Sequence, residues 1–232
     1  YGQGTVDLVS AATAKAKLGS GRLAHISKSV RKKLIRHERV EVVSSGLLDL
    51  YIVQGFMTER ECTDLIALID ATSRPSTLYQ DTEIKGFRTS YSGDLDPNHP
   101  LVQIIEGRIC NLIGVDKRCG ETLQGQRYAI GQQFKPHHDY FHTNQAYWQK
   151  EKPRGGQRSW TAMIYLNEPE GGGETNFPNA GLCVSPRTAM LVLWNNMDEM
   201  GAPNELTLHE GCPVTAGTKY IVTKWFREHF WG

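Results

Sequence analysis

The sequence predicts an α+β fold, in which helices come first and a β-sandwich or jelly roll follows. Two observations support this order. Apolar residues recur at helical spacing before about residue 115, and from about residue 121 short β-rich runs alternate with Gly and Pro. The length of 232 residues and the 39% hydrophobic content are those of a globular chain that can bury a real core.

The first 40 residues form a basic extension that is expected to be helical. They carry nine Lys or Arg residues against two acidic ones, whereas the rest of the chain carries 17 basic and 23 acidic residues. Leu23, Ile26, Val30 and Leu34 fall near one helical face. Two interpretations stay open: a helix that packs on the domain with its basic face in solvent, or an arm that binds an acidic partner.

The next 75 residues predict a strand, a helix, a long connection and a second helix. The strand spans residues 47–53, and Thr58-x-x-Glu61 is a capping box that begins the first helix. Residues 73–100 are rich in Ser, Thr, Pro, Asp and Gly and predict a long loop or loose hairpin. The second helix is expected near residues 101–113.

Five β-rich runs follow, and they predict the strands of the second half. They cover residues 122–130, 159–166, 189–194, 206–209 and 219–226. No internal repeat and no second domain is visible, so a single domain is predicted over residues 41–232.

Composition argues against several classes of protein. No run of about 18 apolar residues occurs, so no membrane span is expected. The net charge of +1 gives no global attraction to nucleic acid. The five cysteines are an odd number without a C-x-x-C pair, which favours a reducing, cytoplasmic location over a disulfide framework or a zinc site.

Three separated residues suggest a metal site. His137 and Asp139 are two residues apart, so in a strand they would point to the same side while His138 points away. This H-x-D triplet alone is weak, and an exposed loop cluster is the alternative. His209 ends a strand-like segment 70 residues later and would complete two imidazoles and one carboxylate, the set that non-haem Fe(II) oxygenases use. A zinc hydrolase could use the same ligands.

Lys219 follows His209 by ten residues and begins an alternating strand. A cation inside a barrel is costly unless an anion pairs with it. The distal carboxylate of a dicarboxylate co-substrate would supply that anion. The alternative is a lysine that caps an edge strand.

Several motifs together resemble the prolyl 4-hydroxylase family of 2-oxoglutarate/Fe(II) oxygenases, over about residues 45–230. They agree in order and spacing, and they lie at residues 127–128, 131–132, 136–141, 165–167, 172–178, 209–214, 217–219 and 224–225.

The resemblance implies a double-stranded β-helix (jelly-roll) core with N-terminal supporting helices. It implies that His137, Asp139 and His209 bind Fe(II), and that Lys219 binds 2-oxoglutarate with help from the hydroxyls of Thr175 and Tyr128. Tyr140, Arg158 and Trp225 match substrate-facing positions, although packing or a surface ion pair would explain them as well. The segment Arg88-Thr89-Ser90 resembles the family's substrate-covering loop, and the polar and aromatic stretch 142–156 lies in a region that tends to vary.

The implied activity is that of a procollagen-proline 4-dioxygenase-like enzyme. It would hydroxylate proline, at C4, in a peptide or protein, and release succinate and CO2, with Fe(II), 2-oxoglutarate, O2 and ascorbate (vitamin C) as reductant. One alternative keeps this chemistry on a free amino acid or another small molecule. Another is a non-catalytic binding module that uses its basic arm. The sequence does not indicate an oligomeric state.

Overall fold

The computed structural model describes residues 21–43, 47–76 and 86–232. The first 20 residues of the basic extension and residues 77–85 of the predicted connection lie outside this part. The described helices are α1 (Gly21–Leu34), α2 (Glu59–Thr72), α3 (Pro100–Ile113) and the short α4 (Trp148–Glu151).

Fourteen strands follow one another in the described chain. They are β1 (Glu41–Val42), β2 (Leu50–Val53), β3 (Arg74–Pro75), β4 (Tyr91–Asp94), β5 (Gln124–Tyr128), β6 (Phe134–His137), β7 (Arg158–Tyr165), β8 (Gly171–Gly172), β9 (Thr175–Phe177), β10 (Leu182–Val184), β11 (Met190–Asn195), β12 (His209–Gly211), β13 (Val214–Ala216) and β14 (Lys219–Arg227).

These strands form antiparallel sheets. The large sheet has the order β1-β2-β11-β7-β14-β5-β4-β3, the second has the order β10-β9-β12-β6, and β13 pairs with β8. The chain is therefore a mixed helix-and-sheet protein, as the periodicity predicted.

The central strands β7, β11 and β14 of the large sheet are buried on both faces, whereas the edge strands β1 and β3 are exposed. On β7, Ala162 and Ile164 belong to the core that the helices also line, whereas Met163 and Tyr165 belong to a second core shared with the four-stranded sheet. This double burial explains why β11 is apolar at its first five consecutive positions rather than alternating. A polar side chain buried between the two sheets therefore costs free energy unless it has a hydrogen-bonding or ionic partner or binds a ligand.

The helix termini follow their sequence signals. Thr58 accepts a hydrogen bond from the Glu61 amide at 3.2 Å, and the Glu61 carboxylate accepts one from the Thr58 amide at 2.8 Å, which confirms the capping box. Helix α3 has Pro100 in its first turn and ends before Gly114, whose φ of 73° is the left-handed conformation that glycine tolerates.

One predicted strand is wrong. Residues 206–209 were expected to be extended, but Glu205–Thr207 forms a 3-10 turn and β12 begins only at His209. The Asn204 side chain causes this, because its Oδ1 accepts a hydrogen bond from the Leu206 amide at 3.1 Å and caps the turn.

The connection over residues 73–100 contains the antiparallel pair β3–β4, which agrees with the hairpin alternative. All five cysteines are free thiols. Among the helices in the described ranges, none is both long and apolar enough to cross a membrane.

Candidate metal centre

The structure brings His137, Asp139 and His209 together between the sheets. His137 ends β6, His209 begins β12, and the two residues are direct partners in the antiparallel pairing. The Nε2 atoms of His137 and His209 each lie 3.8 Å from an oxygen of Asp139. Within residues 21–43, 47–76 and 86–232, this is the only group of three or more ligand-type side chains whose ligand atoms converge, all within 4.8 Å.

Both histidines are oriented by main-chain carbonyls. The Nδ1 atom of His137 lies 2.8 Å from the Lys135 oxygen, and the Nδ1 atom of His209 lies 2.9 Å from the Thr207 oxygen. Because a carbonyl only accepts hydrogen bonds, each Nδ1 carries the proton. Each Nε2 lone pair is therefore left free toward the carboxylate, which is the tautomer that a metal ligand needs.

The protonation states also suit a cation. Burial, with the neighbouring His209, lowers the pKa of His137 to about 3, so its imidazole is neutral at physiological pH. Burial by itself would raise the pKa of Asp139, but His209, His137 and Arg158 outweigh it and hold that pKa below its usual value. Two imidazoles and one carboxylate on one side of an octahedral ion leave three positions open, so the donor set fits Fe(II).

The reason for this convergence is only partly the one that the sequence suggests. Asp139 lies two residues beyond the end of β6, so strand alternation does not place it. His138 does turn away, and its Nε2 lies 3.6 Å from a Glu205 oxygen.

Lys219 reaches the same space from β14. This strand lies between β5 and β7, so the edge-strand alternative does not hold. The side chain is 1% exposed, and its Nζ lies 4.9 Å from the Tyr128 ring centre and 5.5 Å from that of Tyr165. Burial lowers the pKa of Lys219 to about 8. No carboxylate of the described residues forms an ion pair with it.

Thr175 and Tyr128 lie in the same cavity as Lys219. The Thr175 hydroxyl is 2.5 Å from the Tyr165 hydroxyl, and the Tyr128 hydroxyl donates to Gln126 Oε1 at 2.7 Å. Seven residues singled out in the sequence line this one cavity: Tyr128, His137, Asp139, Thr175, His209, Lys219 and Trp225.

A larger cavity of about 680 Å³ adjoins the metal centre. His137, Asp139 and Trp225 line both cavities, and Tyr140 and Arg158 line only the larger one. The Tyr140 hydroxyl donates to Glu205 at 3.0 Å, and its ring stacks on that of His138.

Arg158 is held in place by a residue that the sequence analysis missed. Glu121 accepts two hydrogen bonds from its guanidinium, at 2.6 and 2.7 Å, while the guanidinium lies 4.2 Å above the Trp225 ring. The pair is largely buried rather than a surface ion pair. Glu121 also pairs with Arg227 at 2.7 Å. Glu121 and Arg158 are 37 positions apart in the sequence, so no local pattern reveals this contact.

Arg88 was noted only as part of a segment, yet it reaches the larger cavity. Its Nη2 donates to Gln124 Oε1 at 3.0 Å, and its guanidinium lies 4.7 Å from the centre of the Phe134 ring. The sequence signal for this residue was the segment Arg88-Thr89-Ser90, which resembles the family's substrate-covering loop.

Comparison with known proteins identifies the family. Residues 123–227 match the model of the 2OG-Fe(II) oxygenase superfamily. Prolyl 4-hydroxylase 2 of Arabidopsis thaliana is 30% identical over 83% of this chain and 71% of its own length. The chain belongs to the prolyl 4-hydroxylase family. Probable prolyl 4-hydroxylase 4 of the same plant is 31% identical over 75% of this chain and 66% of its own length, so the chain spans about two thirds of such relatives.

A solved structure of this family supports the same assignment. The viral collagen prolyl hydroxylase of Paramecium Bursaria Chlorella virus-1, in its 2OG complex, is 27% identical to this chain. The match covers 77% of this chain and 95% of the viral chain, with a TM-score of 0.62. The enzyme class and its Fe(II), 2-oxoglutarate and O2 requirement therefore follow from family membership together with the converged residues described above.

Proposed function

We propose that this protein hydroxylates proline in a peptide or protein, in a reaction that depends on Fe(II) and 2-oxoglutarate. One observation supports it most strongly. The three convergent ligand side chains and a buried lysine without a carboxylate partner among the described residues line the same cavity. A metal-chelating dicarboxylate would satisfy both features at once.

His137, Asp139 and His209 would hold Fe(II). Lys219 would donate charge-assisted hydrogen bonds to the distal carboxylate of 2-oxoglutarate, and the Thr175 and Tyr128 hydroxyls would help to bind it. Bound Fe(II) supplies the activation of O2, coupled to oxidation of 2-oxoglutarate to succinate and CO2 and to hydroxylation of a C–H bond.

The chain itself orients the reactants and excludes water. The two main-chain carbonyls keep the imidazoles in their ligand tautomer, and the buried position of Asp139 keeps bulk solvent from the carboxylate. Shielding of this kind protects a reactive centre from side reactions.

A peptide substrate is supported by the shape and lining of the larger cavity. Its volume of about 680 Å³ exceeds the needs of a single amino acid, and it opens directly onto His137 and Asp139. Tyr140, Arg158 and Trp225 would contact the substrate there. The similar viral enzyme is named a collagen prolyl hydroxylase, which supports a proline-containing protein as substrate. The plant relative named prolyl 4-hydroxylase 2 supports C4 as the oxidised carbon.

The finer architecture is part of the same proposal. The large antiparallel sheet and the four-stranded sheet, with the metal centre between them, are interpreted as a double-stranded β-helix (jelly-roll) core. We assign the oxygenase domain to residues 41–232 and treat residues 1–40 as its basic extension.

Mass spectrometry of proline-containing peptides tests this function. The protein is incubated with peptide, Fe(II), ascorbate and 2-oxoglutarate under air, and succinate is followed in parallel. We expect one oxygen to be added to proline only when 2-oxoglutarate is present. Succinate without peptide oxidation would point to a free amino acid or another small molecule, and competition with free proline separates these substrates. Absence of both products would refute the proposal.

A further inference from the structure

Three consecutive residues connect helix α1 to the metal centre. Asn195 ends β11, and Asn196 and Met197 follow it. All three are at most 1% exposed, although two of them carry polar amides. Buried amides need hydrogen-bond partners, and the partners of this segment lie on two opposite sides.

On one side, the segment is tied to α1. The Ser27 hydroxyl of α1 donates to Asn195 Oδ1 at 3.2 Å, and the Met197 amide donates to the same oxygen at 3.1 Å. The Asn195 side-chain Nδ2 donates to the Asp49 carboxylate at 3.0 Å, and this carboxylate is itself paired with Arg31 of α1 at 2.7 Å. Two residues of α1 therefore fix the conformation of the segment.

On the other side, the segment reaches Asp139. Asn196 Nδ2 donates to Thr161 Oγ1 at 3.0 Å, and Thr161 donates to Asp139 Oδ2 at 2.7 Å. The direction of this relay is forced, because an ionised carboxylate only accepts hydrogen bonds, so the Thr161 proton points to it and the Asn196 amide must donate. The main chain of Asn196 is held as well, by bonds to Ser159 and Asn204.

The segment also supports the wall of the larger cavity. Met197, Leu23 of α1 and Tyr140 form a small buried apolar cluster of their own. The same three residues of chain thus back both a metal-facing carboxylate and a cavity-lining ring.

We propose that Thr161 and Asn196 are positioning residues that set the rotation of the Asp139 carboxylate, and that α1 is a working part of the active site because it fixes Asn195. Hydrogen-bonded partners of ligands orient them, and their loss typically weakens metal binding roughly 10- to 100-fold. Helix α1 precedes residues 123–227, the part that matches the family model. The inference rests on the proposed function only in that Asp139 binds the metal.

Titration with Mn(II), followed by electron paramagnetic resonance of the free ion, tests this without turnover. We expect Thr161→Val to weaken Mn(II) binding roughly 10- to 100-fold, and Thr161→Ser to restore it because the hydroxyl returns. Ser27→Ala should weaken binding in the same direction by a smaller factor. Leu34→Ala is the matched control. Leu34 is a fully buried residue of α1, but it belongs to the core that the helices share with the large sheet and not to the cluster of Leu23, Tyr140 and Met197. Leu34→Ala should lower Tm and leave the Mn(II) affinity unchanged.

Wild-type affinity in both Thr161→Val and Ser27→Ala would overturn the inference, as would a loss in Leu34→Ala equal to theirs. If circular dichroism shows Thr161→Val to be unfolded, Asn196→Ala and Ser27→Ala decide in its place by the same criterion. If the wild-type protein itself binds no Mn(II), the metal assignment within the proposed function fails, and that result is distinct from variants that match a metal-binding wild type.

Discussion

Replacing Lys219 with Met should stabilise the protein and abolish its use of 2-oxoglutarate. Burial lowers the pKa of Lys219 from 10.5 to about 8, because the folded protein disfavours the charged form. A change of that size corresponds to roughly 3 kcal/mol of unfavourable free energy at neutral pH. We therefore expect the ligand-free Lys219→Met protein to melt roughly 6–12 °C above the wild type.

The size of this effect depends on pH in a defined way. The stability gain of Lys219→Met should be complete below pH 8, where the folded wild type carries the buried charge. It should shrink between pH 8 and 10.5, since the folded lysine is then neutral, and vanish above 10.5. The affinity of the wild type for 2-oxoglutarate should fall about tenfold from pH 7 to 9, because only the protonated fraction is competent to bind.

Thermal melting with Mn(II), with and without 2-oxoglutarate, measures both effects. Wild type should gain about 2.7 kcal/mol when the ligand is at 100 times its Kd, and Lys219→Met should gain almost nothing. Lys224→Met is the matched control, because Lys224 lies on the same strand but pairs with Glu106 at 2.6 Å. It should destabilise the protein and still bind 2-oxoglutarate. The reasoning is refuted if Lys219→Met binds 2-oxoglutarate as wild type does, or if it melts below wild type between pH 6 and 8.

Three further outcomes follow from the site. His137→Ala should abolish succinate formation while far-UV circular dichroism is unchanged, and undiminished turnover would contradict the metal assignment. Arg158→Leu removes the guanidinium that Glu121 holds in the larger cavity and that is proposed to contact the substrate. KM for a proline-containing peptide should therefore rise roughly tenfold, while the Kd for 2-oxoglutarate stays unchanged. An effect on 2-oxoglutarate alone would argue against a substrate role. Arg227→Met leaves the buried Glu151 without its main partner and should cost about 3–5 kcal/mol in urea unfolding; a change below 1 kcal/mol would show that the pair adds little.

Local signals in the sequence were sufficient for elements whose structure is decided by neighbouring residues. The capping box at Thr58 and Glu61 closes within one helical turn, so its residues alone determine where α2 begins. The β-rich runs that became β7, β11 and β14 are buried at nearly every position. The H-x-D triplet and Lys219 were each ambiguous in the sequence by themselves, and only the family resemblance combined them with His209 into one predicted site.

Contacts between distant segments were decided only by the tertiary structure. Glu121 meets Arg158, and Thr161 meets Asn196, across 37 and 35 residues, and no periodic pattern records such pairs. The pairing of His209 with His137 comes from the register of β12 on β6, which the sheet sets as a whole. The sequence alone therefore determined which groups could do the chemistry, whereas packing determined which neighbours orient them, because orientation depends on contacts that exist only after the chain has folded.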